Sequence, residues 1–401
     1  MDILKVNLMK GVEWMRSDFK FKFIFLCASH TLLHVYTNLP LALLPVLMKE
    51  YNLSVFIASL IISIPRIIQL FFSLPTGLIA DRLGYKRLIS LSLFLEVLAA
   101  AVILFYPSVE TIVLAFSLTA LASTIYHPPA LSAAADILPL NFRSRGLGFH
   151  GASGTLGVSL GPITLGLFLN HFGWRFVYLI WLIPILIAAF IALFIDLDMV
   201  REKKIEEHEI SISTPIRKVF TLTFISLLLL MLFRTAAGTS ISTYITTYLT
   251  EDKLLDPALA SMIFGINPLI GLSSSIIGGY LGDRLGWKKS FTIIFSTVSI
   301  ALFIVMISQT AFQAIAFYIL YGFFNSMSMP ISSSLVANII PSGARGTAYS
   351  IYFIPMSLIG IAMPIILSFL IGIFNISVIF PIAIILYLTS LIIVQLLKIN
   401  G

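Results

Sequence analysis

The sequence predicts an all-α membrane protein of twelve transmembrane helices, arranged as two pseudo-symmetric six-helix bundles. Three observations predict it. Charge is scarce: Asp, Glu, Lys and Arg make up 11% of the 401 residues, 59% are hydrophobic, and the mean hydropathy is +1.03, whereas a soluble domain carries about 25% charge. Long stretches hold no charged residue at all. The chain also repeats itself at a spacing of 202 residues.

The uncharged stretches are 23–48, 111–135, 146–174, 176–195, 257–282, 290–344 and 346–397. A hydrocarbon core of ~30 Å needs about 20 apolar helical residues. Each stretch is therefore long enough to cross. The last two allow two passes each, with turns near Gln309-Thr310 and Gly372–Asn375. The predicted spans are 21–48, 53–80, 87–106, 110–136, 146–170, 174–195, 218–249, 257–281, 289–308, 311–338, 346–371 and 374–397. A membrane β-barrel would show short alternating segments in their place. The first apolar run has basic residues ahead of it but no small-residue cleavage site, so it is expected to be retained. The single Cys27 lies within it, excludes a disulfide framework and is expected to pack.

The basic residues set the expected orientation. With the N-terminus inside, inner segments collect 20 of the 25 Lys and Arg; outer loops hold Lys49, Arg175 and Lys253, and Arg66 and Arg234 lie within spans. This bias places both termini in the cytoplasm of a multi-pass cell-membrane protein. The net charge of +7 then belongs to a surface facing anionic lipid, and no nucleic-acid partner is implied.

The repeat defines the domains. Gly77-Leu-Ile-Ala-Asp81-Arg82-Leu-Gly84-Tyr-Lys86-Arg87 returns as Gly279-Tyr-Leu-Gly-Asp283-Arg284-Leu-Gly286-Trp-Lys288-Lys289. Pro128, Arg143 and Pro162 match Pro330, Arg345 and Pro364 at the same offset. This predicts an N-terminal six-helix half (1–195), a polar cytoplasmic linker (196–217) and a C-terminal half (218–401). Parallel repeats of this kind place a solute site where the halves meet, near the bilayer midplane.

These loop motifs resemble those of the major facilitator superfamily, over essentially the whole chain. The resemblance implies a transporter, not an enzyme, that works by alternating access. It implies a cytoplasmic gate made of Gly77, Asp81, Arg82, Gly84 and Arg87 with Gly279, Asp283 and Arg284. Charges at helix ends can latch an opposing helix; the plainer alternative is that they end helices and keep the loop inside. Gly157, Gly161 and Pro162 resemble the helix-bending motif of the superfamily's antiporters, with close helix packing as the alternative. Ser29-His30, Tyr126-His127-Pro128, the segment from Arg143 to Pro162, and Phe233-Arg234 resemble fosmidomycin-resistance-type exporters. That group tends to carry an acidic residue where His34 stands here, which puts a carboxylate proton site in the first span in doubt.

Ionisable groups inside spans are expensive and mark function or a specific partner. His30, His34 and Asn38 form one stripe, i, i+4 and i+8. The imidazoles are candidate proton acceptors or helix-bridging groups, and both readings stay open. Their spacing suits a metal, but the local sequence supplies no third ligand, so no metal site is expected. His127, ahead of Pro128-Pro129 where a broken helix would free carbonyls, is a cavity candidate; His150 is expected to pack. Arg66 and Arg234 cannot shed their charge and suggest an anionic or zwitterionic solute. Arg66 either serves that solute or pairs with Glu96, across a height difference of roughly 9 Å. Tyr244 and Tyr248 are expected in an interfacial belt.

No Gly-x-x-x-x-Gly-Lys-Ser/Thr phosphate loop occurs, so an ion gradient or the solute itself must supply the energy. The expected function is proton-coupled export of a drug-like or anionic compound by a monomer with no cofactor. A proton symporter or uniporter for an organic acid or other nutrient is the alternative within transport. A membrane sensor or intramembrane enzyme is the alternative of another class.

Overall fold

The structure, a computed structural model, describes residues 17–139, 142–198, 222–339 and 345–397. Those residues are helical almost throughout and contain no strand. The linker expected at 196–217 lies outside them except for its first three residues.

The first span runs as Ser17–Thr37 and Leu39–Glu50, interrupted at Asn38. Pro40 explains the interruption: it has no N–H to donate and its ring clashes with the preceding turn, but it fits the opening of a new helix. Val55–Leu83, Tyr85–Phe105, Val109–Ile137, Arg143–Phe172 and Arg175–Phe194 are spans two to six. Leu222–Glu251 is span seven, and Ala311–Ile339, Arg345–Ile373 and Ile379–Leu396 are spans ten to twelve.

Spans eight and nine lie in one helical stretch of 51 residues, Pro257–Ile307. A straight helix of that length would measure roughly 77 Å, far more than one crossing needs. Gly286 divides it, with φ 76° and ψ 158°. Its repeat partner Gly84 stands at φ 88° and ψ 159° between spans two and three. Both glycines hold a left-handed φ that other residues reach only with strain. The repeat seen in sequence is thus also a repeat of backbone conformation, and the described residues make twelve passes once the long stretch is divided at Gly286. The turns predicted near 309–310 and 372–375 fall between helices.

The described chain clusters into two compact units. One takes 17–40 and the described residues from 67 to 198; the other takes 41–66 and the described residues from 222 to 397. In the first unit the first span packs on span five, and span three on spans four and six. In the second, spans eight and nine pack on ten, and seven on eleven and twelve. The Leu39–Glu50 helix joins that unit through Thr246, whose hydroxyl donates to Leu41 O at 2.8 Å, and Ser261, which donates to Ala42 O at 3.3 Å.

Two local expectations need correction. Tyr244 and Tyr248 do not form an interfacial belt: both are fully buried. Their hydroxyls donate to Pro364 O at 2.8 Å and Val305 O at 3.2 Å, because a buried phenol needs a partner. The helix also does not break at Pro128-Pro129; it continues to Ile137.

Candidate functional site

Within the first unit, span five presents backbone to the first span at Gly154, Gly157 and Gly161. A Cβ at Gly154 would strike the His30 ring, one at Gly157 the carbonyl of Thr31, and one at Gly161 the carbonyl of Val35. The close approach allows hydrogen bonds from side chains of the first span to main-chain oxygens of the fifth. Thr31 donates to Ser153 O at 2.8 Å, and Asn38 to Val158 O at 3.4 Å. Asn38 is therefore spent on helix packing, away from the two histidines with which it shares a stripe.

The same approach places His30. Its Nδ1 meets His150 O at 2.8 Å, and the His150 ring stacks on it with centroids 4.2 Å apart. Span four lies alongside through Tyr126, whose hydroxyl is 2.7 Å from Ser29 Oγ and donates to Leu26 O at 3.0 Å. One residue further on, His127 turns toward the first span. Its Nε2 lies 3.0 Å from His34 Nε2 and 3.4 Å from His30 Nε2. Nitrogens of His30, His34 and His127 all lie within 4.8 Å of one another. The third imidazole that the local sequence lacked comes from a helix about ninety residues away in the chain.

Glu96 sits elsewhere in this unit, in the middle of span three, and is fully buried. Its Oε1 accepts from Thr119 at 2.7 Å. Its Oε2 has no hydrogen-bond partner among the described residues.

The second unit holds Arg66 and Arg234. Arg66 lies against Gly360, where an added Cβ would meet Nη1 at 3.1 Å. Arg234 Nε donates to Ser328 Oγ at 2.8 Å. Sequence reasoning missed the rest of its surroundings. Ser328 donates to Asn325 O at 2.5 Å, Tyr387 donates to Asn325 Oδ1 at 3.0 Å, and the Tyr321 and Tyr387 hydroxyls are 3.2 Å apart. Among the described residues neither arginine has a carboxylate within ion-pair distance. The only hint in sequence was an unusual density of hydroxyl and amide groups in span ten, Asn325-Ser-Met-Ser328.

The motif loops are local structures of their own. Before span three, the Asp198 carboxylate accepts from Tyr85 N at 2.6 Å, and Tyr85 Oη donates to Asp136 at 3.1 Å. In the second copy Lys288 Nζ donates to Gln395 O at 2.7 Å, and the Arg284 guanidinium lies over the Tyr280 ring at 4.9 Å. Arg87, Asp283 and Arg284 are exposed. The side chains of Asp81 and Arg82 lie outside the described set.

Known proteins place these features in context. The riboflavin transporter RibZ of Clostridioides difficile is 23% identical over 319 residues, covering 66% of this chain and 69% of its own. The methyl viologen resistance protein SmvA of Salmonella typhimurium is 31% identical over 121 residues, 30% of this chain but only 24% of that relative. A crystal structure of a bacterial homolog to the human lysosomal transporter Spinster, inward-facing and occupied, shares the fold with a TM-score of 0.75, 16% identity and 95% coverage of both chains. The Major Facilitator Superfamily model matches residues 25–312 and 223–399. This multi-pass chain of paired six-helix halves belongs to the Major Facilitator Superfamily and is a transporter of small molecules, not an enzyme.

Proposed function

We propose that this chain exports a small anionic or drug-like organic compound from the cell in exchange for protons. The observation that carries the reading is Arg234. A guanidinium inside a span, surrounded by Ser328, Asn325, Tyr321 and Tyr387 and without a carboxylate among the described residues, is a charge left for a negatively charged group. The Ser328 and Tyr387 protons are given to Asn325, which leaves the Asn325 amide N–H groups as further donors to an anion. Arg66, likewise without a carboxylate there, adds to the positive bias.

Glu96 is the group we assign to the proton, since a buried intramembrane carboxyl is a place where a proton can be held and released. Gating by Gly77, Asp81, Arg82, Gly84 and Arg87 with Gly279, Asp283 and Arg284, bending at Gly157, Gly161 and Pro162, cytoplasmic termini and a monomeric carrier belong to the same proposal. Similarity to a resistance protein over 30% of the chain supports export. The longer match to a riboflavin transporter favours a second reading, a symporter or uniporter for an organic nutrient.

The test is flux in proteoliposomes. Purified protein is offered a panel of organic anions and cations with and without an imposed pH gradient, beside Arg234→Gln and Arg234→Lys. Gradient-driven uptake of an anion, lost in Arg234→Gln, is expected. Transport confined to cations, or undiminished in Arg234→Gln, would sink the anionic reading; flux indifferent to pH would leave a uniporter.

A further inference from the structure

Hydrogen bonding decides which nitrogens of two of the three clustered histidines carry protons. The partner of His30 Nδ1 is the main-chain oxygen of His150 at 2.8 Å. That of His127 Nδ1 is the main-chain oxygen of Ser123 at 2.6 Å. A carbonyl only accepts, so both Nδ1 atoms donate. His34 Nδ1 lies 3.0 Å from Thr37 Oγ1, whose own proton is given to His34 O at 3.0 Å. With the hydroxyl proton placed there, His34 Nδ1 donates to Thr37 Oγ1; turned the other way, Thr37 donates to His34 Nδ1 and the N–H of His34 moves to Nε2. A neutral imidazole has one N–H, so the Nε2 atoms of His30 and His127 present lone pairs, and that of His34 joins them when its N–H is on Nδ1.

These lone pairs face one another, with His127 Nε2 at 3.0 Å from His34 Nε2 and 3.4 Å from His30 Nε2. His30 and His34 stand on either side of His127 Nε2, with all three nitrogens within 4.8 Å of one another, and such lone pairs repel unless a proton or a metal ion stands between them. A tetrahedral divalent ion with metal–nitrogen bonds of about 2.05 Å sets its ligand nitrogens about 3.3 Å apart, close to the two distances from His127 Nε2. The Nδ1–H bonds to carbonyl and hydroxyl oxygens are the outer contacts that fix ring orientation in metal–histidine sites. Imidazole suits ions such as Zn²⁺.

We infer that His30, His34 and His127 form a binding site for a divalent transition ion of the Zn²⁺ class, fastening the first span to the fourth and leaving one coordination position to an exchangeable ligand. It stands apart from the anion reading, because every residue in it differs from those around Arg234 and binding is read without transport.

The full chain, purified without a polyhistidine tag in nanodiscs, is titrated with Co²⁺ and then Zn²⁺. The expected result is one Co²⁺ per chain with the intense visible bands of a four-coordinate site, bleached by Zn²⁺. His34→Gln and His127→Asn, retained for comparison only when they elute and melt like the wild type, lose those bands. Thr37→Val, which removes an outer partner, weakens binding about 10-fold. His171→Ala, exposed at the end of span five, changes nothing. A wild-type chain without saturable Co²⁺ bands, or bands that survive in a well-folded His127→Asn, would overturn the site; in the first case the three lone pairs share a proton only.

Discussion

His34 and His127 meet tip to tip, Nε2 to Nε2 at 3.0 Å, while the Nδ1 of each is anchored to its own helix, one on Thr37 and the other on the Ser123 carbonyl. The ring of His150 contributes differently. It stacks on His30, its Nε2 is buried without a hydrogen-bond partner among the described residues, and it is the residue's main-chain oxygen that holds His30. His150→Phe keeps the stacking and the carbonyl. It is expected to retain Co²⁺ binding within a few-fold and to melt at or above the wild type, since it removes an unsatisfied polar atom. A titration and a thermal melt check both.

Glu96→Gln preserves volume and leaves an amide oxygen to accept from Thr119. Solute flux is expected to persist while solute-linked proton movement disappears, measured with a pH-sensitive dye in proteoliposomes. The groups near it are Thr119 and the phenols of Tyr36 and Tyr178, so Tyr178→Phe should leave the coupling in place.

The glycines of span five differ sharply in what they tolerate. Gly157→Ala drives a methyl group into the Thr31 carbonyl and is expected to cost about 1–3 kcal/mol. Gly148→Ala has open space and should be neutral or stabilising by up to ~1 kcal/mol. Denaturation in mild detergent distinguishes them.

At the first motif loop, Asp198→Ala removes the acceptor for Tyr85 N–H. A loss of about 1 kcal/mol is expected, the usual value of a helix N-terminal cap. Gly84→Ala should cost more, because the residue is at φ 88° and an added Cβ would come within 2.8 Å of the Asp198 carboxylate. Comparing the two melts separates capping from backbone strain.

Tyr244→Phe leaves Pro364 O without its donor and is expected to cost about 1–2 kcal/mol. Tyr244→Trp, harmless at a membrane surface, should be worse still in this fully buried position.

Much of the fold was legible because the bilayer makes a simple demand: long uncharged runs, turns between them, basic residues beside the turns. The repeat at 202 even marked the two glycines that later proved to share a backbone conformation. Side-chain partnerships were harder to see. The i, i+4 spacing exposed His30 and His34, but His127 joins them only because Gly154, Gly157 and Gly161 let span five seat the first span where span four can reach it. Tyr244 and Tyr248 looked interfacial from their place near a span end, yet a span end can be covered by protein, and burial is set by neighbours that local sequence does not name. Arg234 was visible as a charge out of place. The hydroxyls and amide around it came from spans ten and twelve, which no periodicity ties to span seven.

The joint at Gly286 has a consequence for biogenesis. Spans eight and nine are separated by a single left-handed residue with Arg284, Lys288 and Lys289 beside it, so there is almost no loop to thread. The two helices must enter the bilayer together as a hairpin, with the charged bend held back on one side. A substitution that straightened the joint would yield one overlong rod, and the cell would meet it as a failure of insertion before it could appear as a failure of transport.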